Sequence, residues 1–475
     1  METHAVYVNG EWIETDETMP VQNPATEEVI ARISVAGFEL TARAIEAAQE
    51  AFPNWKSRTA MERADLLLAM AEEVEQRTED MARTITRENG KPLAQSRGEV
   101  GMTIDHLRWF AEEVRRAYGR VVPHQEAGKR HLVIRTPVGV VGAIAPWNFP
   151  LVLSVRKSAP ALAAGCPVVL KPSSSTSLCA LELARCAEEA GIPAGVFQVL
   201  TGDAHTIASE MMSNPLCRKV SFTGSTRVGK ELIQQSAETV TNVSMELGGH
   251  APLLVFDDAD LEDAVEAALI TKFRNTGQSC IASNRIYVQQ GVYEDFVEMF
   301  VERTQEMPVG DGMEEGVEIG PMIDEKGLQG ALEHIEDAVS KGAELKCGGD
   351  RLERDGYFLA PTVLTDVPEE AVCLTEETFA PVAPICRFET EEEAIKRAND
   401  TEFGLAAYAY TRDIGRAFRL GEGLEAGTIG INDAVPSTSI CPFGGMKQSG
   451  IGRELGQEGL DAFLETKHVS IGGID

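Results

Sequence analysis

A lone cysteine among small and polar residues, in Gly277-Gln278-Ser279-Cys280-Ile281-Ala282 after Phe273-Arg274-Asn275-Thr276, carries the most chemistry in this sequence. Such a loop leaves a thiol accessible, and a thiolate there can attack an electrophilic carbon. The same residue could instead be a small buried apolar side chain. Glu246 stands just before Leu247-Gly248-Gly249. A carboxylate before two glycines lies where the backbone leaves a strand and can approach a ligand closely. In a partly apolar setting its raised pKa would let it take a proton from water near neutral pH; a solvated loop glutamate is the plain alternative. In Pro146-Trp147-Asn148-Phe149-Pro150 two prolines fix the backbone around an amide that can donate to a developing oxyanion. A proline-bounded turn with an Asx-type bond reads equally well.

Two segments suit a dinucleotide. Phe222-Thr223-Gly224-Ser225-Thr226-Arg227-Val228-Gly229 follows a strand and opens a helix, aiming backbone N–H groups where a pyrophosphate would sit, although it is not G-x-G-x-x-G. Lys171-Pro172-Ser173-Ser174 ends another strand, and Lys171 could meet a ribose hydroxyl or a phosphate, or be a surface lysine. No H-E-x-x-H, Cys/His cluster or EF-hand spacing occurs, so no metal site is expected. The eight histidines read as surface or satisfied structural residues, and the eight other cysteines as buried in apolar or helical contexts.

The elements that must hold these residues follow from the apolar spacing. Val6–Val8, the turn pair Asn9-Gly10 and Glu11–Ile13 form a hairpin. From Glu39 to about Gly119 the period is helical, as in Leu66, Leu67, Met70, Ala71 and Val74. Strands and helices then alternate. Strands are expected at Val138–Ala145, Val168–Lys171, Val196–Leu200 and Lys219–Phe222, and a second set near Arg285–Val288, Val382–Phe388, Ala406–Tyr410 and Thr428–Ile431. Such alternation argues an α/β fold with parallel sheets covered on both faces. The runs His131–Arg135, stopped by Pro137, and Leu464–Ile471 stand apart and are read as pairing with a neighbouring subunit.

Composition bounds the setting. A chain of 475 residues predicts two or three domains, and 43% hydrophobic with 25% charged residues is a globular balance. With 75 acidic and 43 basic residues the net charge is −32, a field that disfavours nucleic-acid and membrane-surface partners and suits a cytoplasm of high salt. Nine scattered cysteines without C-x-x-C spacing suggest a reducing compartment, and neither a signal peptide nor a membrane span is evident.

Taken in order, these strings, with Glu376-Glu377-Thr378-Phe379-Ala380-Pro381 and Pro442-Phe443-Gly444-Gly445, resemble the aldehyde dehydrogenase superfamily over essentially the whole chain. Within it the chain looks most like succinate-semialdehyde dehydrogenases, through Lys272–Asn275, Phe256–Leu261 and Asn399–Ala406. The resemblance implies two Rossmann-like doubly wound domains and a small β oligomerisation extension. Residues 1–118 and 138–248 would bind the dinucleotide, 249–447 would be catalytic, and 119–137 with 455–475 would join subunits into a homodimer or homotetramer. Cys280 would be the nucleophile, Asn148 and the Cys280 N–H the oxyanion donors, and Glu246 the base that activates water. Pro146, Trp147, Lys171, Ser173 and Ser174 match cofactor-contacting positions, as do Gly224, Ser225, Leu247, Glu377 and Phe379. Arg156, Arg274 and Ser437 match positions that bind the substrate's far carboxylate, a role suited to bidentate guanidinium groups in so acidic a protein.

Some positions depart from the family pattern. Many relatives carry Glu where this chain has Ser174, and its absence implies a preference for NADP, with NAD as the alternative. Ala282 stands where some relatives have a second cysteine, so no disulfide switch is expected there. Ala380 replaces a usual glycine. The loop Asp433–Ser439 differs, which leaves 2-oxoglutarate semialdehyde, glutarate semialdehyde or a sulfonated aldehyde as other substrates. CoA acylation is disfavoured by Glu246; a non-redox thiol esterase using Cys280 and Glu246 is the reading from another class.

Overall fold

The computed structural model describes residues 2–474. Its first large sheet has eight strands, in the order Gly450–Ile451, Asn242–Glu246, Cys217–Thr223, Val140–Ile144, Val168–Lys171, Phe197–Val199, Val6–Val8, Glu11–Ile13. The five from Asn242–Glu246 to Phe197–Val199 run parallel. Val140–Ile144 and Val168–Lys171 are buried at every residue, as expected of strands covered by helices on both faces. After Val140–Ile144 the chain adds two strands on one side, then returns to place Cys217–Thr223 on the other. The winding therefore reverses between these two neighbours, and a crevice opens at their carboxyl ends. Residues 146–148 and 224–225 leave the sheet there.

The second sheet has seven strands: Glu344–Cys347, Thr362–Thr365, Val382–Phe388, Ser283–Gln289, Ala251–Val255, Ala406–Tyr410 and Thr428–Ile431. All pairs are parallel except the edge pair Glu344–Cys347 with Thr362–Thr365. Cys280 immediately precedes Ser283–Gln289, so the second sheet presents the thiol from the amino end of one of its strands.

The helical N-terminal region resolves into four helices: Phe38–Ser57, Ala60–Gln76, Thr78–Asn89 and Leu93–Glu113. Thr59 and Glu62 close a capping box at the second, and Gly90, at φ 93°, ends the third. Leu93–Glu113 packs on Pro150–Ala164, a helix buried at all fifteen residues. Glu99 ties the two together, because its Oε1 accepts the N–H groups of Leu151 (2.9 Å) and Val152 (3.2 Å) at the second helix's N-terminus.

Leu464–Ile471 pairs antiparallel with Arg130–Pro137 over eight residues, and Arg120–Val122 lies on the outer side. The strand thus extends to Pro137 rather than stopping before it. Two features were not expected from sequence. Thr3–His4, Val29–Ser34 and Thr18–Gln22 form a small separate sheet. Gly450–Ile451 returns to the first sheet against Asn242–Glu246, carrying the chain back beside Glu246. Among the described residues no helix is long and apolar enough to cross a membrane.

Candidate active site

The carboxyl-end crevice holds a cavity of about 220 Å³. Pro146, Trp147, Asn148, Gly224, Ser225, Leu247, Cys280, Glu377 and Phe379 line it, with Thr223 and Gly248, which sequence reasoning had not singled out. Residues as far apart as 146 and 379 meet because the reversal point of the first sheet faces two loops that feed the second, one before Val382–Phe388 and the cysteine loop before Ser283–Gln289.

That loop is held in a costly shape. Asn275 and Thr276 have φ of 51° and 58°, a left-handed conformation that costs a non-glycine residue about 1–3 kcal/mol. Several bonds fix it. Gln95 Oε1 accepts from Asn275 N at 2.8 Å, Asn275 Nδ2 donates to the Asn148 carbonyl at 2.9 Å, and Thr276 Oγ1 donates to Gly320 O at 3.1 Å. Lys91 Nζ donates to the same Asn148 carbonyl and to Glu99 Oε2, both at 2.6 Å. Asn148 Nδ2 spends one hydrogen on Gln278 O at 3.1 Å. Its second amide hydrogen stays available, as does the Cys280 N–H, which meets no acceptor among the described residues. Gly249 permits this approach: a Cβ there would collide with the Cys280 carbonyl.

Cys280 is partly exposed, consistent with a thiol reached from the cavity. Protein nonetheless surrounds the sulfur closely, so desolvation, reinforced by the charges of Glu377 and Glu246, pushes its pKa up to about 12 against the opposing pull of Arg156. Glu246 ends its strand as expected, but it is buried rather than solvated, and its Oε2 has no partner. Burial first and the Glu454 charge second hold its carboxyl well above the usual range. Behind it lies a buried ion pair that no motif announced. Lys157 Nζ donates to Glu454 Oε1 at 2.6 Å and to Thr223 Oγ1 at 2.5 Å. Residues 157 and 454 are 297 positions apart, and the lysine differs from core neighbours on its helix only in being charged.

The cofactor-matching positions fall into two groups. Trp147 and Phe379 meet edge to face at 5.6 Å across the cavity, and Glu377 Oε1 accepts from Gly249 N at 3.1 Å. Burial brings the Glu377 carboxyl to about 7, opposed by that N–H and by Lys272. Lys272 is itself fully buried, donates to Asn284 Oδ1 at 2.7 Å and is brought down to about 7 by desolvation. Lys171, Ser173 and Ser174 lie outside the cavity lining, at the end of Val168–Lys171. Lys171 is buried, in no ion pair among the described residues, and lowered to about 8 by desolvation. Ser174 Oγ donates to Gly202 O at 2.8 Å, while Ser173 Oγ caps the turn that follows.

These residues fit a dinucleotide. A helix of 14 residues, Thr226–Thr239, points its N-terminus at the cavity through Ser225. A Cβ on Gly248 would come within 2.8 Å of Glu377 Oε2, so a larger residue there would shift the Glu377 carboxylate. An unpaired buried lysine stands ready for hydroxyl or phosphate oxygens at the far end.

Arg156 and Arg274 are in no ion pair among the described residues. Arg156 is 8% exposed, its Cζ lies 4.8 Å over the Phe443 ring, and its Nε has no partner. Arg274 stacks 5.1 Å from the Phe149 ring and places Nη2 3.8 Å from Met102 Sδ. It also lines a separate cavity of about 530 Å³ beside Pro92, Gln95 and Phe273. Ser437 is half-buried in the loop after Thr428–Ile431 and makes no side-chain hydrogen bond among the described residues.

Two expectations need correction. His106 and His250 are neither surface nor satisfied: both are buried, His106 with an unpartnered Nδ1 and His250 with both ring nitrogens unpartnered. Of the eight cysteines read as buried, Cys347 is half-buried because it ends the edge strand Glu344–Cys347, and Cys441 is exposed because it lies in a loop.

Comparison with known proteins agrees with this geometry. Residues 12–469 match the model of the aldehyde dehydrogenase family. The 3-sulfolactaldehyde dehydrogenase of Pseudomonas putida is 52% identical, covering 99% of this chain and 97% of that protein. The succinate-semialdehyde dehydrogenase [NADP(+)] of Escherichia coli (strain K12) is 50% identical, covering 98% and 97%. A solved E. coli NADP-dependent enzyme superposes with a TM-score of 0.98 at 49% identity, over 99% of this chain and 98% of that one. A strained, clamped cysteine loop, a buried carboxylate and a dinucleotide-shaped crevice thus occur in a chain that belongs to the aldehyde dehydrogenase family.

Proposed function

We propose that this protein oxidises an aldehyde bearing a distal anionic group, foremost succinate semialdehyde, to its acid, with NADP preferred over NAD. The observation that carries the reading is the pair of guanidinium groups, Arg156, buried, and Arg274, half-buried, neither in an ion pair among the described residues. Buried cations without a counter-ion are costly, and a carboxylate or sulfonate held bidentately offsets that cost. The relatives named for succinate semialdehyde and 3-sulfolactaldehyde act on aldehydes of this kind.

In this reading Cys280 Sγ adds to the carbonyl carbon, and the thiol proton leaves to Glu246 or solvent. The oxyanion is received by the second Asn148 amide hydrogen and the Cys280 N–H. A bound NAD(P) would supply the hydride acceptor for this oxidation. Pro146, Trp147, Gly224, Ser225, Leu247, Glu377 and Phe379, which line or border the cavity, would hold its nicotinamide half, and Lys171, Ser173 and Ser174 would hold its adenosine side. The acyl group remains on Cys280 as a thioester. Glu246 then takes a proton from water, hydroxide attacks the acyl carbon, and the C–S bond breaks to release the acid and free thiol. Lys157 and Glu454, buried behind Glu246, hold the charge balance as that proton arrives and departs.

The NADP preference rests on Ser174, which adds no negative charge beside Lys171 where a 2′-phosphate would sit. Two finer readings complete the proposal: a salt-rich cytoplasm, from the net charge of −32, and a homodimer or homotetramer joined through the Arg130–Pro137 and Leu464–Ile471 strands. A steady-state panel of aldehydes with both dinucleotides, at low and high salt, tests the whole. The reading expects semialdehydes to exceed hexanal in kcat/KM; equal values for the two would defeat it.

A further inference from the structure

We propose that His106 is a positioning residue for Arg156, its Nδ1 accepting from Arg156 Nε when the guanidinium grips the substrate's anion. The inference rests on the anionic-aldehyde reading above and deepens it.

On helix Leu93–Glu113, Met102 and His106 are four residues apart and so share a face. That face backs both arginines: Met102 meets Arg274, and Arg156, on the helix packed alongside, is the charge that acts on the His106 ring. His106 is 3% exposed and Arg156 8%. The unpartnered atoms on the two residues are complementary. Nε–H of a guanidinium only donates, and an unprotonated imidazole nitrogen only accepts. Burial and the Arg156 charge hold His106 well below its usual pKa, so the ring stays neutral and keeps that acceptor. Unmatched buried donors and acceptors are rare enough to call for an explanation, and here each supplies what the other lacks. The guanidinium lies over the Phe443 ring. Turning from that ring toward an anion would let Nε engage His106 while the two Nη atoms hold the oxygens, which fixes the fork in its bidentate orientation.

The test compares kcat and KM for succinate semialdehyde and hexanal in His106→Phe, His106→Asn and Arg156→Leu, with succinate binding measured by calorimetry. For His106→Phe, KM for the semialdehyde should rise about tenfold and succinate binding weaken in parallel, with hexanal kinetics within about twofold of the parent. Asparagine places an amide atom at the Nδ1 position, so His106→Asn should recover most of the loss; if His106→Phe does not fold, His106→Leu carries the same expectation. Equal losses on both aldehydes, or no recovery with asparagine, would overturn the role of His106 while Arg156→Leu still abolished semialdehyde selectivity. Selectivity that survives Arg156→Leu would overturn the anionic-aldehyde reading itself.

Discussion

The strand ends facing Cys280 on one side and the helix pair Leu93–Glu113 and Pro150–Ala164 on the other are built from opposite materials. The strand-end wall is made of backbone, glycine and aromatic rings: Trp147, Gly224, Leu247, Gly248 and Phe379. The helical wall is made of buried charge: Lys91 paired with Glu99, Lys157 paired with Glu454, and Arg156 left unpaired. A surface of backbone and rings recognises a cofactor by shape and dipole and costs little when empty. A surface of buried cations is selective because an unmatched charge is expensive until its ligand arrives.

Changes at the loop between the walls should be the most damaging. Cys280→Ala should reduce aldehyde-dependent NADPH formation to background, read as absorbance of the reduced nicotinamide. Asn148→Ala should lower kcat by about 10²–10³-fold with little change in dinucleotide binding, because it removes one oxyanion donor. Burial pushes the Cys280 thiol up to about 12, far above neutral pH. Its alkylation by iodoacetamide should therefore rise about a hundredfold between pH 7 and 9, following the thiolate fraction; a plateau near pH 8 would contradict the buried setting.

The walls themselves should separate by substrate. Arg274→Leu should raise KM for succinate semialdehyde about thirtyfold and leave hexanal and NADP nearly unaffected, the loss expected of charge-assisted hydrogen bonds. On the other wall, Ser174→Glu should shift the NADP-to-NAD ratio of kcat/KM by about tenfold toward NAD without altering aldehyde selectivity, since a carboxylate there repels the 2′-phosphate. If either change moved both properties together, the contrast between the walls would fail.

The difference also explains what could be read from the chain. The site residues sit in short strings at strand ends, where glycine, proline and small polar residues must occur for local reasons, so Asn148, Gly224 and Cys280 of the cavity, and Glu246 at the end of its strand, were legible. The doubly wound sheets were legible for the same reason: Val140–Ile144 and Val168–Lys171 are apolar throughout because both faces are covered. The small N-terminal sheet was not, since Thr3–His4 is two residues long and Thr18–Gln22 contains a proline. His106 read as an ordinary histidine because its helix periodicity says that it faces inward, not what it faces.

The sequence by itself marked Cys280, Glu246 and Asn148 as candidates, through the strings around them and the family they resemble, and it specified the alternating strands and helices, because local conformation and residue chemistry suffice for that pattern. Only the tertiary structure decided that Glu246 is buried, that Lys157 and Glu454 meet behind it, and that Arg156 and Arg274 form no ion pair among the described residues. Burial and pairing depend on which distant segments come to lie together, and the sheet reversal that brings residue 146 to residue 379 sets them.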